Sequence, residues 1–135
     1  MQKNIVIIPC SGTGKRMGSN IPKQFLELEG KPIICHTIEK FEKCEKIDEI
    51  MIVISKEYEE YFKKEILEKN NFKKVFNIVL GGEERFNSVY NGLCSIKNKE
   101  SIVLIHDGVR PFIKIEQIEK IIKETKLHKA CVLGV

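Results

Sequence analysis

Short apolar runs alternate with longer amphipathic segments along this chain of 135 residues, and this alternation narrows the possible folds more than any other feature. Four runs are predicted to be strands: residues 4–9, 49–55, 74–80 and 101–106. The first is β-branched and apolar on both faces, as central strands of a parallel sheet are, and the second is also predicted to be buried. Residues 130–135 have the composition of a fifth strand. The sequence therefore predicts α/β units around a mostly parallel sheet.

The segments between these strands have the periodicity of amphipathic helices. Val89, Leu93 and Ile96, for example, share one helical face. No repeat, low-complexity tract or linker divides the chain, so residues 1–135 are predicted to form a single domain. Ligands of such a domain bind at the carboxyl ends of the strands, so the site is expected in the loops that follow them. The predicted helices are residues 32–43, 56–69, 85–97 and 115–126.

Composition excludes several classes of protein. Lys and Arg number 23 against 19 Asp and Glu, and the net charge of +4 is dispersed, so we expect no nucleic acid partner. No apolar stretch has the length of a membrane span or a signal-peptide core, so we expect no membrane partner and a cytoplasmic location. The five cysteines include no C-x-x-C pair, so neither a disulfide framework nor a zinc knuckle is expected.

The first predicted strand ends in a glycine-rich, cationic loop. Gly12 and Gly14 allow the backbone to approach an anion closely, Lys15 and Arg16 add positive charge, and Lys23 follows after a short interval. This combination is typical of a polyphosphate site, although a plain strand-to-helix turn with solvated cations has the same composition. The glycine spacing matches neither a dinucleotide fingerprint nor a P-loop, which disfavours a dehydrogenase and a P-loop nucleotidase.

The third predicted strand is followed by a double glycine. Gly81 and Gly82 would let a flat ligand such as a base approach the backbone. Ser88 is predicted in the first turns of the next helix, where its hydroxyl could bond a ligand or cap the helix, and capping is the commoner role.

The fourth predicted strand ends in a loop that carries a histidine, an aspartate and an arginine. Asp107 is well placed to hold a magnesium ion, and Arg110 could clamp a phosphate, while a structural Asp–Arg pair is the alternative. His106 is interpreted as a packed residue because no His or Cys stands at ligand spacing from it. Cys10, beside the cations of the first loop, could have a lowered thiol pKa, but a buried, inert residue is the preferred interpretation.

Three ordered motifs resemble one family. The chain contains G-T-G-K-R-M-G with P-K-Q-F, then G-G-E-E-R-x-x-S-V-x-N-G-L, then H-D-G-V-R-P-F, and together these resemble the 2-C-methyl-D-erythritol 4-phosphate cytidylyltransferases, a group of sugar-phosphate nucleotidyltransferases. The resemblance implies a Rossmann-like, three-layer α/β fold, a requirement for Mg2+ and, for the full-length protein, a homodimer. It also implies transfer of CMP from CTP to a polyol phosphate, 2-C-methyl-D-erythritol 4-phosphate, with release of pyrophosphate in non-mevalonate isoprenoid biosynthesis.

The same resemblance implies roles for individual residues. Arg16 and Lys23 would be catalytic and stabilise charge on the α-phosphate. Asp107 would bind magnesium, and Arg110 would bind the acceptor. The nucleotide would be bound by Cys10, Ser11, Gly12, Thr13, Gly14, Lys15, Gly82, Arg85, Ser88 and Gly108, among which Gly82, Arg85 and Ser88 would help to form the cytosine pocket.

Departures from the family pattern leave alternatives open. Cys10 and Ser11 stand where the family commonly has two alanines, as do Gly108 and Val109. A valine in the latter position also occurs in ribitol-5-phosphate cytidylyltransferases, so ribitol 5-phosphate is the alternative acceptor, although S-V-x-N-G-L favours methylerythritol phosphate. Relatives are expected to extend further, so another alternative is an inactive CTP-binding fragment in which the C-terminal part of the fold is missing.

Overall fold

A parallel sheet with helices on both faces is present in the structure, a computed structural model that describes residues 3–10, 22–82, 85–97 and 100–128. The α/β prediction is confirmed, while the predicted strand at residues 130–135 lies outside the described residues. The elements are β1 (Asn4–Pro9), β2 (Glu27–Leu28), β3 (Lys31–Pro32), α1 (Ile33–Lys43), β4 (Glu49–Ile54), α2 (Glu59–Phe62), β5 (Val75–Leu80), α3 (Arg85–Cys94), β6 (Ile102–Ile105) and α4 (Ile115–His128).

The four long strands are parallel and lie in the order β5-β4-β1-β6. Ile7 of β1 is aligned with Met51 of β4 on one side and with Ile105 of β6 on the other. The chain therefore builds the sheet outward from β1 through β4 to β5, and then returns to place β6 on the opposite side of β1. Such a reversal leaves a crevice at the carboxyl ends of the two strands, where open α/β sheets bind ligands.

Helices cover both faces of the sheet, in agreement with the three-layer prediction. On one face, α1 and α4 pack with the segment that contains α2, and the side chains of Ile8, Phe41 and Phe62 are buried there. On the other face, α3 lies over Ile7 and Met51. The inner strands are buried on both sides, which is why their sequences are unbroken apolar runs rather than alternating ones.

A short hairpin before α1 was not expected from the sequence. β2 and β3 pair in antiparallel fashion across Glu29 and Gly30, whose φ angles of 52° and 86° are both positive. Two positive φ angles are what the tight hairpin turn requires, and Gly30 adopts one without strain. Pro32 was predicted in the first turn of the following helix, and it is the residue that immediately precedes α1.

Helix α3 approaches the sheet through a glycine. The apolar face predicted for it is only partly buried, since Leu93 is 42% exposed. Gly92 is buried instead, and a Cβ on it would lie 3.1 Å from Ile7 Cγ2 and 3.2 Å from Val53 Cγ2. The absence of a side chain allows close packing of helix on sheet, which hydrophobic periodicity does not report.

The charged segment between β4 and β5 is helical, as predicted, but its geometry changes along its length. A 3₁₀ turn at Lys56–Tyr58, the single turn of α2 and a π-helical stretch at Lys63–Leu67 follow one another. Among the helices of the described residues, none is long and apolar enough to cross a membrane.

Candidate functional site

The carboxyl ends of β1 and β6 meet through a backbone hydrogen bond. The Gly108 amide donates to the Pro9 carbonyl at 3.2 Å, and the Cys10 amide donates to the Val53 carbonyl of β4 at 2.8 Å. Cys10 and Gly108 are both buried at the crevice. The first and third predicted loops, although far apart in sequence, therefore begin at the same point of the sheet.

Gly108 has no room for a side chain. A Cβ on it would lie 2.8 Å from Ile34 Cδ1 and 3.1 Å from Cys10 Cβ, closer than ordinary van der Waals contact. Its carbonyl accepts a hydrogen bond from the buried Thr37 hydroxyl of α1 at 2.8 Å. The loop after β6 is thus held against α1. A glycine is required at position 108 because Ile34 and Cys10 occupy the space that the methyl group of an alanine would need.

Gly108→Ala should destabilise the fold by about 1–3 kcal/mol, the usual cost of overpacking a close-packed interior. Adding Ile34→Val removes the atom nearest the new methyl group and should recover part of that loss. Ile34→Val alone should cost about 0.5–1.5 kcal/mol. Urea unfolding of the wild type, both single variants and the double variant measures the coupling. A Gly108→Ala protein as stable as the wild type would contradict this packing.

Asp107 and Arg110 form an ion pair at the crevice. Arg110 Nε lies 3.4 Å from Asp107 Oδ2, and the two side chains are 69% and 29% exposed. The structural pair, one of the two interpretations left open by the sequence, is therefore present. An exposed pair of this kind contributes about 0–1 kcal/mol, so an incoming phosphate or cation can separate the two groups at little cost.

The carboxylate of Asp107 suits a magnesium ion that takes its other ligands from outside the protein. Within the described part of the chain, no three His, Cys, Asp or Glu side chains gather into a metal cluster. Magnesium commonly binds one or two carboxylates and completes its octahedron with water and substrate phosphates. A single, partly exposed carboxylate at the end of β6 fits that pattern, and magnesium binding by Asp107 stays a prediction.

His106 is a packing residue in this structure, as the sequence suggested. Its ring centroid lies 5.2 Å from that of Phe41, and its Nε2–H donates to the Arg110 carbonyl at 2.7 Å. Burial lowers the pKa of His106 from its ordinary value of 6.5, against the opposing effects of the Arg110 carbonyl and the Asp107 charge. The neutral ring closes the turn that carries Arg110.

The lowered pKa of His106 makes stability depend on pH. Below pH 6.5 and above the folded-state pKa, the unfolded chain binds more protons than the folded one, so the free energy of unfolding should fall as the pH decreases through 6.5. His106→Gln places an N–H donor near the position of Nε2 for the Arg110 carbonyl but cannot gain a charge, so its decline should be shallower. Urea unfolding between about pH 5 and 8 measures both slopes, and equal slopes would overturn this account.

The Cys10 thiol is buried below the crevice. Its side chain is 6% exposed, and desolvation raises its pKa to about 12. Such a thiol stays protonated at neutral pH and is a poor nucleophile. Cys10 is therefore a small packing residue, which was the preferred interpretation of the sequence.

The second glycine loop leaves the sheet beside α3. The Gly81 amide donates to the Ile54 carbonyl at 2.8 Å. A Cβ on Gly82 would lie 2.3 Å from Asn87 Cβ, so the loop and the helix touch where only a glycine fits. The packing of the loop on α3 therefore accounts for the glycine at position 82, and the contact of this loop with a base stays a prediction.

Ser88 and Arg85 lie in the first turn of α3. Ser88 is fully buried, and because the helix begins at Arg85, its hydroxyl does not occupy the capping position that precedes the helix. The Arg85 side chain lies outside what the structure describes. Their contacts with a cytosine ring stay predictions.

The P-K-Q-F segment forms a 3₁₀ turn, Lys23–Phe25, in which the Lys23 side chain is exposed. Phe25 is buried, and its ring lies 5.7 Å from that of Tyr58 and 4.8 Å from that of Tyr61. Gln24, between Lys23 and Phe25 in sequence, is buried and donates its Nε2–H to the Cys10 carbonyl at 2.7 Å. Sequence reasoning missed Gln24 because nothing local marks this glutamine as a partner of the end of β1.

The glycine-rich loop itself lies outside the described residues, so its predicted functions stay predictions. Its described flanks are Cys10, at the end of β1, and Pro22, whose carbonyl accepts a hydrogen bond from the Phe25 amide at 3.0 Å. The predicted site residues that fall in this loop are Ser11, Gly12, Thr13, Gly14, Lys15 and Arg16.

Comparison with known proteins identifies the family. Residues 4–135 match the family model of 2-C-methyl-D-erythritol 4-phosphate cytidylyltransferase. The chain belongs to this family. A curated 2-C-methyl-D-erythritol 4-phosphate cytidylyltransferase from Clostridium botulinum is 50% identical over 129 residues, which cover 96% of this chain and 57% of that protein. One from Alkaliphilus oremlandii is 47% identical over 135 residues, which cover 100% of this chain and 57% of that protein.

A solved structure supports the Rossmann-like fold. The crystal structure of 4-diphosphocytidyl-2C-methyl-D-erythritol synthase from Anaerococcus prevotii superposes with a TM-score of 0.75 at 32% identity, covering 93% of this chain and 51% of that one. The chain thus spans a little over half the length of the curated relatives that it matches.

Proposed function

We propose that this chain forms the CTP-binding part of a 2-C-methyl-D-erythritol 4-phosphate cytidylyltransferase. A phosphate oxygen of the acceptor attacks the α-phosphorus of CTP, the bond from that phosphorus to the bridging oxygen breaks, and pyrophosphate leaves. The observation that carries the proposal is the junction of β1 and β6, where the hydrogen bond between Gly108 and Pro9 brings the residue after Asp107 against Cys10 at the end of β1.

The residues at this junction suit a reaction that needs positioning and charge stabilisation rather than a strong base. The acceptor's phosphate oxygen is already a competent nucleophile, so catalysis rests on cations around the transferring group. Lys23, exposed on a fixed turn beside the end of β1, would stabilise charge on the α-phosphate together with Arg16. A magnesium ion at Asp107 would neutralise charge on the triphosphate.

The nucleobase would lie against the second glycine loop. Discrimination of cytosine from uracil needs hydrogen bonds to the edge of the base, because the two rings have nearly the same shape. Backbone groups at Gly82 and the first turn of α3, with Arg85 and Ser88, are the groups that would supply them.

An open hollow of about 370 Å³ beside Arg110 suits the acceptor. Volumes of this order are at the lower end of those that bind small molecules. Arg110 would hold the acceptor phosphate, while the rest of the wall is mainly apolar and suits a methyl-branched carbon chain better than an all-hydroxyl one. This lining favours methylerythritol phosphate over ribitol phosphate, and its apolar members are Val109, Pro111, Phe112 and Ile113.

Parallel assays with two acceptors test the proposal. The chain is supplied with CTP, magnesium and either 2-C-methyl-D-erythritol 4-phosphate or ribitol 5-phosphate, and pyrophosphate and the CDP-alcohol are quantified. Turnover should be at least about tenfold faster with the methylerythritol acceptor, in line with what one altered group in a pocket is worth. Faster turnover with ribitol 5-phosphate would reassign the acceptor.

Isothermal titration separates binding from catalysis. CTP binding without turnover would identify an inactive CTP-binding fragment, whereas substantial turnover would exclude one. If the chain shows no CTP binding and no turnover, the proposed function is refuted. UTP is the matched control, and it should bind at least about tenfold more weakly if the cytosine pocket is formed. The homodimer, which derives from the resemblance, and the cytoplasmic location, which derives from the apolar patterning of the sequence, also belong to this proposal.

A further inference from the structure

Both backbone groups of Cys10 are fixed by partners from elsewhere in the chain. Its amide donates to Val53 of the neighbouring strand at 2.8 Å. Its carbonyl accepts the Gln24 Nε2–H at 2.7 Å, across a sequence separation of 14 residues. Gln24 is only 4% exposed, so this hydrogen bond is shielded from water and a lost donor would leave a buried carbonyl without it. One side chain therefore ties together the two described flanks of the glycine-rich loop.

The turn that carries Gln24 is held by hydrogen bonds and ring contacts of its own. The Phe25 amide donates to the Pro22 carbonyl at 3.0 Å and the Leu26 amide donates to the Lys23 carbonyl at 3.1 Å. Phe25 is buried, and its ring contacts the rings of Tyr58 and Tyr61. The Lys23 carbonyl is therefore hydrogen-bonded within the turn, and the next residue, Gln24, links this turn to the end of β1.

We infer that Gln24 is a positioning residue for cytidylyl transfer, which holds Lys23 in place relative to Cys10 at the end of β1. This inference rests on the proposed function. Gln24 would not touch substrate, since it is buried and its amide is directed to the Cys10 carbonyl. Its effect would pass through Lys23, whose charge must meet the α-phosphate within a fraction of an ångström to be effective.

A double-mutant cycle with Lys23 tests the inference. Gln24→Leu in the magnesium-loaded enzyme should lower kcat by about 10- to 100-fold, as a displacement of about 1 Å does, while the KM for CTP changes by less than about threefold. In a Lys23→Ala background, Gln24→Leu should have almost no further effect on kcat, because the group that it positions is gone. An equal loss in both backgrounds would show a merely structural role and overturn the inference.

Two further variants sharpen the result. Gln24→Glu places a carboxylate against the Cys10 carbonyl, but its protonated form can donate a hydrogen bond, so its kcat relative to the wild type should rise as the pH falls. Asn70→Leu is the matched control. The Asn70 amide also donates to a backbone carbonyl, that of Ile66 at 2.7 Å, but this hydrogen bond lies away from the crevice. This control variant should leave kcat unchanged. A Gln24→Glu ratio that does not vary with pH would also count against the inference.

Hydrogen exchange separates this inference from the proposed function. If the wild type neither binds CTP nor turns over with either acceptor, the proposed function fails, yet the anchoring of the turn can still be measured in the protein alone. The Phe25 and Leu26 amides should exchange faster in Gln24→Leu than in the wild type or in Asn70→Leu. Unchanged exchange at these two amides would overturn the inference whatever the activity.

Discussion

Lys23→Ala should lower kcat for cytidylyl transfer by about 10²–10³-fold, the usual cost of removing one group that stabilises charge in the transition state. The side chain is exposed on the turn Lys23–Phe25, so its removal should leave the free energy of unfolding nearly unchanged. Steady-state kinetics with CTP, magnesium and the acceptor measure the loss. Arg16→Ala should act in the same direction.

The matched control for Lys23→Ala is Lys120→Ala, which removes the same charge from an exposed position of α4. This variant should turn over at the wild-type rate, because a distant exposed charge is screened by salt. Near-normal turnover in both Lys23→Ala and Arg16→Ala would refute the catalytic roles assigned to these residues.

Gly82→Ala should weaken CTP binding. The new Cβ would lie 2.3 Å from Asn87 Cβ, a separation that real side chains do not tolerate, so the loop must move away from α3. Overpacking of this kind costs about 1–3 kcal/mol. If the whole cost falls on the bound state, the Kd for CTP rises by about 5- to 150-fold. Isothermal titration with CTP and magnesium is the measurement.

Relief of the clash provides the control for Gly82→Ala. Adding Asn87→Gly removes the contacting atom and should restore part of the CTP affinity, while Asn87→Gly alone measures the cost of a glycine in α3, about 1 kcal/mol of stability. If Gly82→Ala binds CTP as tightly as the wild type, the second glycine loop does not form the nucleobase pocket.

The fold class could be predicted because burial on both faces of a central parallel strand calls for a nearly continuous apolar run, and such runs are visible at the inner strands β1 and β4. The strands β5 and β6, which lie at the edges of the sheet in the described part of the chain, are only partly buried. The hairpin of β2 and β3 was missed because its strands are two residues long, too short for any periodicity. The face of α3 was predicted imperfectly because close helix–sheet contact there depends on Gly92, whose lack of a side chain carries no hydrophobic signal.

The candidate site was predictable where its residues are neighbours in sequence. Asp107 and Arg110 are three positions apart, and their pairing was foreseen as one of two alternatives. Gln24 was not foreseen, because its partner Cys10 lies on another segment and a glutamine is usually a surface residue. The lack of room at Gly108 was equally invisible, since Ile34 comes from α1.

By itself, the sequence determined the succession of strands and helices, the cationic and acidic groups available for catalysis, and the motifs that place the chain in its family. Only the tertiary structure decided that β6 lies beside β1, that Gln24 anchors the end of β1, and that Gly108 must be glycine. The physical reason is that a local pattern reports whether a residue is buried, whereas the identity of its neighbours depends on strand order and on how closely the helices pack.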